Sequence, residues 1–237
     1  MISFVTCIKL MPGYEDFESR LHLYVESIQT HCKFPYEILI VEDVNEKNIG
    51  RIKPINGVQI IEYNATYSNP HGYNMIEAFS KNAGIQAAKY PFICVTNCDI
   101  IFTQSFFDYF ESNSPTPKTF YRFLEYDSFE ATTPINPIPT NPTLNEVAYK
   151  SGDIMMLDAE SWRKIRGYPE NEVWVHSDLI VCKVAHNNGF RLEIPPVRII
   201  TPSHGRRESP PSLKRVEHET SYAYFYRVEC NSHLHSF

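Results

Sequence analysis

The chain is expected to fold as an α/β protein with a mostly parallel sheet sandwiched by helices. Three observations predict this. Short apolar, β-rich runs recur at residues 2–8, 36–41, 58–63 and 92–96. Segments with helical spacing of apolar residues fall between them. Three of the runs close on polar or charged residues: Thr6, Cys7 and Lys9 on the first, Glu42-Asp43 on the second, Asn97-Cys98-Asp99 on the fourth. Sheets of this class bind ligands outside the carboxyl ends of their strands.

Residues 2–8 read as a buried first strand. A helix over 15–28 follows, with Leu21, Tyr24, Val25 and Ile28 on one side. The second strand, 36–41, is expected to stop at Glu42-Asp43, and the third spans 58–63. Residues 64–74 contain Pro70-His71-Gly72 and read as a loop in which His71 is structural. A helix over 75–89 leads into the strand 92–96. Residues 132–143 hold Pro134, Pro137, Pro139 and Pro142, which rules out a helix or a central strand. An extended surface loop is left, either a cover over a site or a linker. Residues 154–157 read as a short strand and 158–165 as a helix with Asp158 as its N-cap. A helix over 179–186 ended by Gly189 and a late strand at 198–200 complete a domain spanning 1–207. The extension 208–237, with Tyr222, Tyr224, Phe225 and Tyr226, reads as a helix packing back on it.

At 237 residues the chain can bury a sizeable single core. Hydrophobic residues at 43% and charged residues at 21% exclude disordered and fibrous classes. Lys+Arg 22 against Asp+Glu 28 gives a net charge of −6, with a pI near 5.8. That balance argues against a general partner in nucleic acid or a membrane surface, both of which call for clustered positive charge. The six cysteines form no CxxC pair and read as buried free thiols of a reducing compartment. The opening MISFVTCIKL has no basic leader and no apolar run of the roughly 20 residues a membrane span needs. A cytoplasmic location is therefore expected. No GxGxxG follows the first strand, and GxxxxGK[ST], GxSxG and HExxH are absent.

Asn97-Cys98-Asp99 places a carboxylate at a strand terminus, which suits Mg²⁺ or Mn²⁺ and equally suits a turn. Here the sequence resembles the GT-A glycosyltransferases, whose apolar strand ends in Asp-x-Asp. The first acid is Asn97 in this chain, so Asp99 alone corresponds to the metal carboxylate. Asn97 would touch sugar, ribose or a metal-bound water. A second block is similar to the acceptor half of inverting galactosyltransferases of that fold. Gly152 and Asp153 match its Gly-rich strand, Trp162 its helix, Gly167-Tyr168-Pro169 its turn, and Asp178 the place of the catalytic base. The family's acidic cluster is thinned to that one Asp, with Asp153 the next candidate.

Apart from the resemblance, glycosyl transfer with inversion needs one carboxylate to take a proton from the acceptor hydroxyl. It also needs positive charge on the departing diphosphate. Asp178 can serve the first purpose, and it can equally be a helix N-cap before Leu179. The resemblance further implies that His204 completes a Mn²⁺ or Mg²⁺ site with Asp99; the alternative is a solvated loop histidine. Arg206-Arg207 would clamp phosphates or lie on the surface. Thr6, Cys7 and Lys9 fall where the fold cradles the nucleotide base; Glu42 or Asp43 closes the second strand, where an acid can accept from ribose hydroxyls or the base, and Asp43 resembles that acid, the alternative being a plain turn acid before Asn45. Lys81-Asn82-Ala83-Gly84 lies on the helix before the metal strand, with Asn82 toward the donor. Its small residues serve either backbone approach to the donor or close helix–sheet packing.

The resemblance thus implies a GT-A enzyme of hexosyltransferase type, moving a sugar from a nucleotide-sugar donor, expected to be a UDP-sugar, to a glycan or glycoprotein hydroxyl. A degenerate module that binds nucleotide sugar or glycan without transfer is the alternative, favoured by Asn97. Nucleotidyl transfer fits less well, because Met11-Pro12-Gly13-Tyr14 is a poor version of its Gly-rich signature.

Overall fold

The computed structural model describes residues 1–10, 16–44, 50–64, 77–139, 143–144, 147, 154–170 and 177–202. Strands β1 (Ile2–Ile8), β2 (Tyr36–Asp43), β3 (Val58–Tyr63) and β4 (Phe92–Thr96) run parallel. Helix α1 (Phe17–His31) connects β1 to β2, and α2 (Glu77–Ala87) leads into β4. Then come β5 (Ile101–Phe102), α3 (Gln104–Ser112), β6 (Thr119–Arg122) and β7 (Glu125–Tyr126). The chain continues through β8 (Met155–Asp158), α4 (Ala159–Ile165), α5 (Ser177–Asn187), β9 (Arg191–Glu193) and β10 (Ile199–Ile200).

The main sheet has the order β3-β2-β1-β4-β8-β6-β9, and a small second sheet has the order β5-β10-β7. Strand β8 is antiparallel to both β4 and β6. It follows that β6 runs the same way as β4, so its end at Arg122 lies on the same sheet edge as the ends of β1, β2 and β4. The strand order reverses beside β1, which is where α/β sheets open a crevice.

Alternation along β1 builds two cores, one on each face. Ile2, Phe4 and Ile8 pack with Leu21, Tyr24, Val25 and Ile28 of α1 and with Phe106, Phe107 and Phe110 of α3. Val5 points the other way, among Ala78 and Ile85 of α2, Trp162 of α4 and Leu179 of α5. The expected sandwich of helices around a mostly parallel sheet is therefore the one observed.

Two expectations are corrected and one helix is added. Strand β2 does not stop at Glu42-Asp43 but runs through both, and both are buried. Pairing permits it: Glu42 accepts from Arg51 Nε and Ile52 N at 3.0 Å each, and Asp43 stands 3.5 Å from Lys9 Nζ. Asp178 is not an N-cap before Leu179, because α5 already includes Ser177; the carboxylate lies in the first turn, at the positive end of the helix dipole. Helix α3 was not anticipated, and it carries an aromatic cluster in which Phe106 lies 4.7 Å from Phe102 and 4.9 Å from Phe110. Residues 132–139 form neither helix nor strand, as their prolines require. The extension 208–237 lies outside the described residues. Cys7, Cys94, Cys98 and Cys182 are buried free thiols, Cys32 is a half-buried one, and Cys230 lies outside the described residues. Among the described residues no helix is long and apolar enough to cross a membrane.

Gly84 lets α2 lie directly on the sheet. A Cβ there would come within 2.3 Å of Val5 Cγ1 and 3.1 Å of Val41 Cγ2. Of the two roles open to this glycine, helix–sheet packing is the one its contacts fit. Gly84→Val is expected to lower stability by about 1–3 kcal/mol through overpacking, read as a fall in the urea midpoint at unchanged slope.

Asp158 caps α4 as expected, accepting from Ser161 N at 2.9 Å and Ser161 Oγ at 2.6 Å. It also accepts from Lys118 N at 2.8 Å. Burial pushes its carboxyl up, but the bonds from the Ser161 hydroxyl and the two backbone amides outweigh burial and hold it below its ordinary 3.8. A carboxyl lowered in the folded state adds stability above its unfolded value, and that stability is lost as pH falls through the folded one. Between about pH 5 and pH 3 the urea midpoint should therefore fall more steeply in the unmutated chain than in Asp158→Asn, which keeps a cap but no titrating charge.

Candidate active site

The carboxyl edge of the parallel strands gathers buried charge. Lys9, just past β1, and Asp43, closing β2, form an ion pair at 3.5 Å whose side chains are almost wholly buried. Lys81 rises from α2 with its ammonium 2.7 Å from Glu77 Oε2 and 2.9 Å from Asn97 Oδ1, just past β4. Asp99, two residues on, has its Oδ2 at 3.9 Å from Arg20 Nη1 of α1. Cys7 lies between these groups. Burial drives its thiol well above the ordinary value; Glu77, Cys98 and Asp43 push the same way and Lys81 pushes against them. Such a thiol is no nucleophile near neutral pH. Thr6 is buried and its hydroxyl donates to Thr96 O at 3.1 Å, clasping the ends of β1 and β4.

A second group meets this one through Tyr168. Asn82 of α2 donates from Nδ2 to Tyr168 O and to Glu170 Oε1, both at 2.9 Å, and accepts from Tyr168 N at 2.8 Å. The Gly167-Tyr168 turn is thus docked on the helix that carries Lys81. Gly167 has φ +69°, and a Cβ there would fall 2.3 Å from Asn82 Oδ1, so this position requires glycine on both counts. The Tyr168 ring stacks on Trp162 at 5.5 Å, and the Lys81 ammonium lies 5.5 Å from the ring centroid. Trp162 is itself fixed by donating Nε1–H to Ile93 O at 3.1 Å.

Beyond Tyr168 stands Asp178. Its Oδ2 lies 3.3 Å from Nη2 of Arg122, whose side chain is 0% exposed, while that of Asp178 is 24% exposed. The arginine is buried with its charge paired, and the carboxylate keeps one side toward solvent. Burial raises the Tyr168 phenol; Lys81 and Arg122 oppose that, while Asp178 and Cys182 add to it. Arg122 closes β6 at the same sheet edge as the ends of β1, β2 and β4, which puts Asp178 at that edge too.

The structure thus brings Cys7, Lys9, Asp43, Asn82, Asn97, Asp99 and Asp178 to one region. Asp153 and His204 lie outside the described residues, as do His71 and Arg206-Arg207. Arg20, Glu77 and Arg122 carry no motif. What marks Arg122 in sequence is a lone cation closing the apolar run Thr119-Phe120-Tyr121.

A divalent cation of the Mg²⁺ or Mn²⁺ type needs converging oxygen ligands, carboxylates first among them. The described residues do not fit one. No three His, Cys, Asp or Glu gather among them. Asn97 Oδ1 accepts from an ammonium and Asp99 faces a guanidinium. Lys81 is in turn paired with Glu77 at 2.7 Å and Arg20 with Asp16, so both strand-end oxygens stand in ion-pair networks that a metal would have to displace.

No protein family matches the chain, and no curated protein matches it in sequence. Solved structures do. S. aureus TarS 1–349 matches with a TM-score of 0.58 and 11% identity, over 85% of this chain and 60% of that one. The same protein in complex with UDP-GlcNAc matches at 0.58 and 10% identity, over 98% of this chain and 74% of that one. Its complex with UDP matches at 0.58 and 9%, over 95% and 72%. The chain spans 60% of the length of the first of these. The likeness shows the fold, a GT-A-type α/β arrangement with a seven-stranded sheet between helices.

Proposed function

We propose that the chain is a glycosyltransferase of hexosyltransferase type, moving a sugar from a nucleotide-sugar donor, a UDP-sugar, to an acceptor hydroxyl with inversion. The observation that carries this is Asp178: a partly exposed carboxylate, oriented by a buried arginine, on the carboxyl edge of a GT-A-type sheet, where sheets of this class take ligands. The complexes of the structural neighbour with UDP-GlcNAc and UDP support the choice of nucleotide.

In this role Asp178 takes the proton of the acceptor hydroxyl. The acceptor oxygen forms its bond to the anomeric carbon while the bond from that carbon to the diphosphate oxygen breaks, and the electron pair leaves with the diphosphate. Lys9 and Asp43 line the base end of the donor. Asn97 and Asp99 lie toward its sugar and diphosphate. Asn82 acts on Tyr168 rather than on the donor, since its amide is engaged by the turn. No step is routed through Mn²⁺ or Mg²⁺, because the described donors do not fit either. The acceptor is a glycan or glycoprotein hydroxyl.

The test is release of nucleoside diphosphate from a panel of UDP- and GDP-sugars by the full chain, with and without simple saccharide acceptors. Release from one UDP-sugar, accelerated by an acceptor, supports transfer. Binding without release from any member would favour the alternative, a module that holds nucleotide sugar without transferring it. Asn97, an amide where the family has an acid, is the feature that favours this alternative.

A further inference from the structure

We infer that the Lys81 ammonium stands where a GT-A site would hold a divalent cation, so that this chain binds a nucleoside diphosphate without Mn²⁺ or Mg²⁺. The inference rests on the proposal above that the edge binds a nucleotide-sugar donor. Lys81 reaches the strand-end triplet from below: its side chain is 5% exposed, and its Nζ lies 2.9 Å from Asn97 Oδ1. With an acid at position 97 the ammonium would face two carboxylates, that one and Glu77. An amide oxygen orients an ammonium without cancelling its charge. The same substitution that weakens a metal site therefore strengthens a lysine site.

Two further features agree. The Tyr168 ring, 5.5 Å from Nζ and backed by Trp162, attracts the ammonium and restricts its position. Glu77, with its side chain 33% exposed, holds the ammonium on the solvent side and is the group that a phosphate oxygen would replace. Lysine supplies a compact point charge suited to phosphate oxygens. Lys9 and Arg20 stand at neighbouring strand and helix positions, the first paired with Asp43 and the second with Asp16 and Asp99.

Titrating UDP into the full chain in EDTA, and again in excess Mn²⁺, tests this. The two dissociation constants are expected to agree within about twofold. Lys81→Met, of similar length and uncharged, is expected to weaken UDP binding by roughly ten- to a hundredfold in both buffers, the loss of one charge-assisted hydrogen bond. Binding that appears only with Mn²⁺ overturns the inference and leaves the donor proposal standing. No binding in either buffer defeats the donor proposal and the inference with it. Unchanged affinity in a folded Lys81→Met chain removes Lys81 from the role. Should that variant fail to fold, the comparison of EDTA with Mn²⁺ on the unmutated chain still decides whether a metal is needed.

Discussion

Asp178→Asn is expected to slow sugar transfer by about 10²–10⁴-fold, the usual worth of a positioned general base. UDP affinity should stay within about twofold of the unmutated chain. Asparagine is the substitution to use because of Arg122. The guanidinium is fully buried and 3.3 Å from Asp178 Oδ2, and an amide oxygen still accepts its hydrogen bond. Asp178→Ala would instead strand a buried charge, at a cost of about 3–5 kcal/mol. Loss of activity in that variant would not separate chemistry from folding. Parallel titrations of UDP with thermal unfolding keep the two apart for the asparagine variant. Full transfer in Asp178→Asn would remove the residue as base.

The second large effect is expected at Asn82. Asn82→Ala leaves the Tyr168 N–H and C=O in the interior without the partners they now have, at about 1–3 kcal/mol each. A loss of roughly 2–6 kcal/mol follows, a large share of the 5–15 kcal/mol that ordinarily holds a domain together. Asn82→Asp should fall as well. It keeps an acceptor for Tyr168 N but loses both donors and sets a carboxylate against Glu170. Urea unfolding of both variants checks this, and a change below about 0.5 kcal/mol would mean that the turn is not docked on α2 through Asn82. Both variants should also lose transfer more than their fraction folded accounts for, since the Tyr168 ring that Asn82 holds in place lies 5.5 Å from the Lys81 ammonium.

The first half of the fold was legible because its signals are local. Strands β1, β3 and β4 have the bounds that their apolar runs predict, and Asp158 caps its helix. What failed depends on side-chain partners that no local pattern shows. Glu42 and Asp43 look like a strand stop until Arg51 and Lys9 are known to lie beside them. Helix α3 has only nine residues, so the helical i+3 and i+4 spacing of Phe106, Phe107 and Phe110 is a short signal, and Phe4, Phe102 and Phe123 surround it in the fold. In the site, carboxylates at strand ends were readable from position alone. The cations that face them were not: Arg20 is 79 residues from Asp99, and Arg122 is 56 from Asp178. Lys81 was visible as a residue of the helix before β4, but its contact with Asn97 depends on how closely Gly84 lets that helix approach the sheet.

The most direct test of the central proposal, a nucleotide-sugar site on the carboxyl edge of the sheet, is calorimetric titration of the full chain with UDP, GDP and a small set of their sugars. Saturable one-to-one binding of UDP and of one UDP-sugar is expected, weakened in Asp43→Asn, which keeps an acceptor for the buried Lys9. The absence of binding to every member of the set by a folded chain would contradict it.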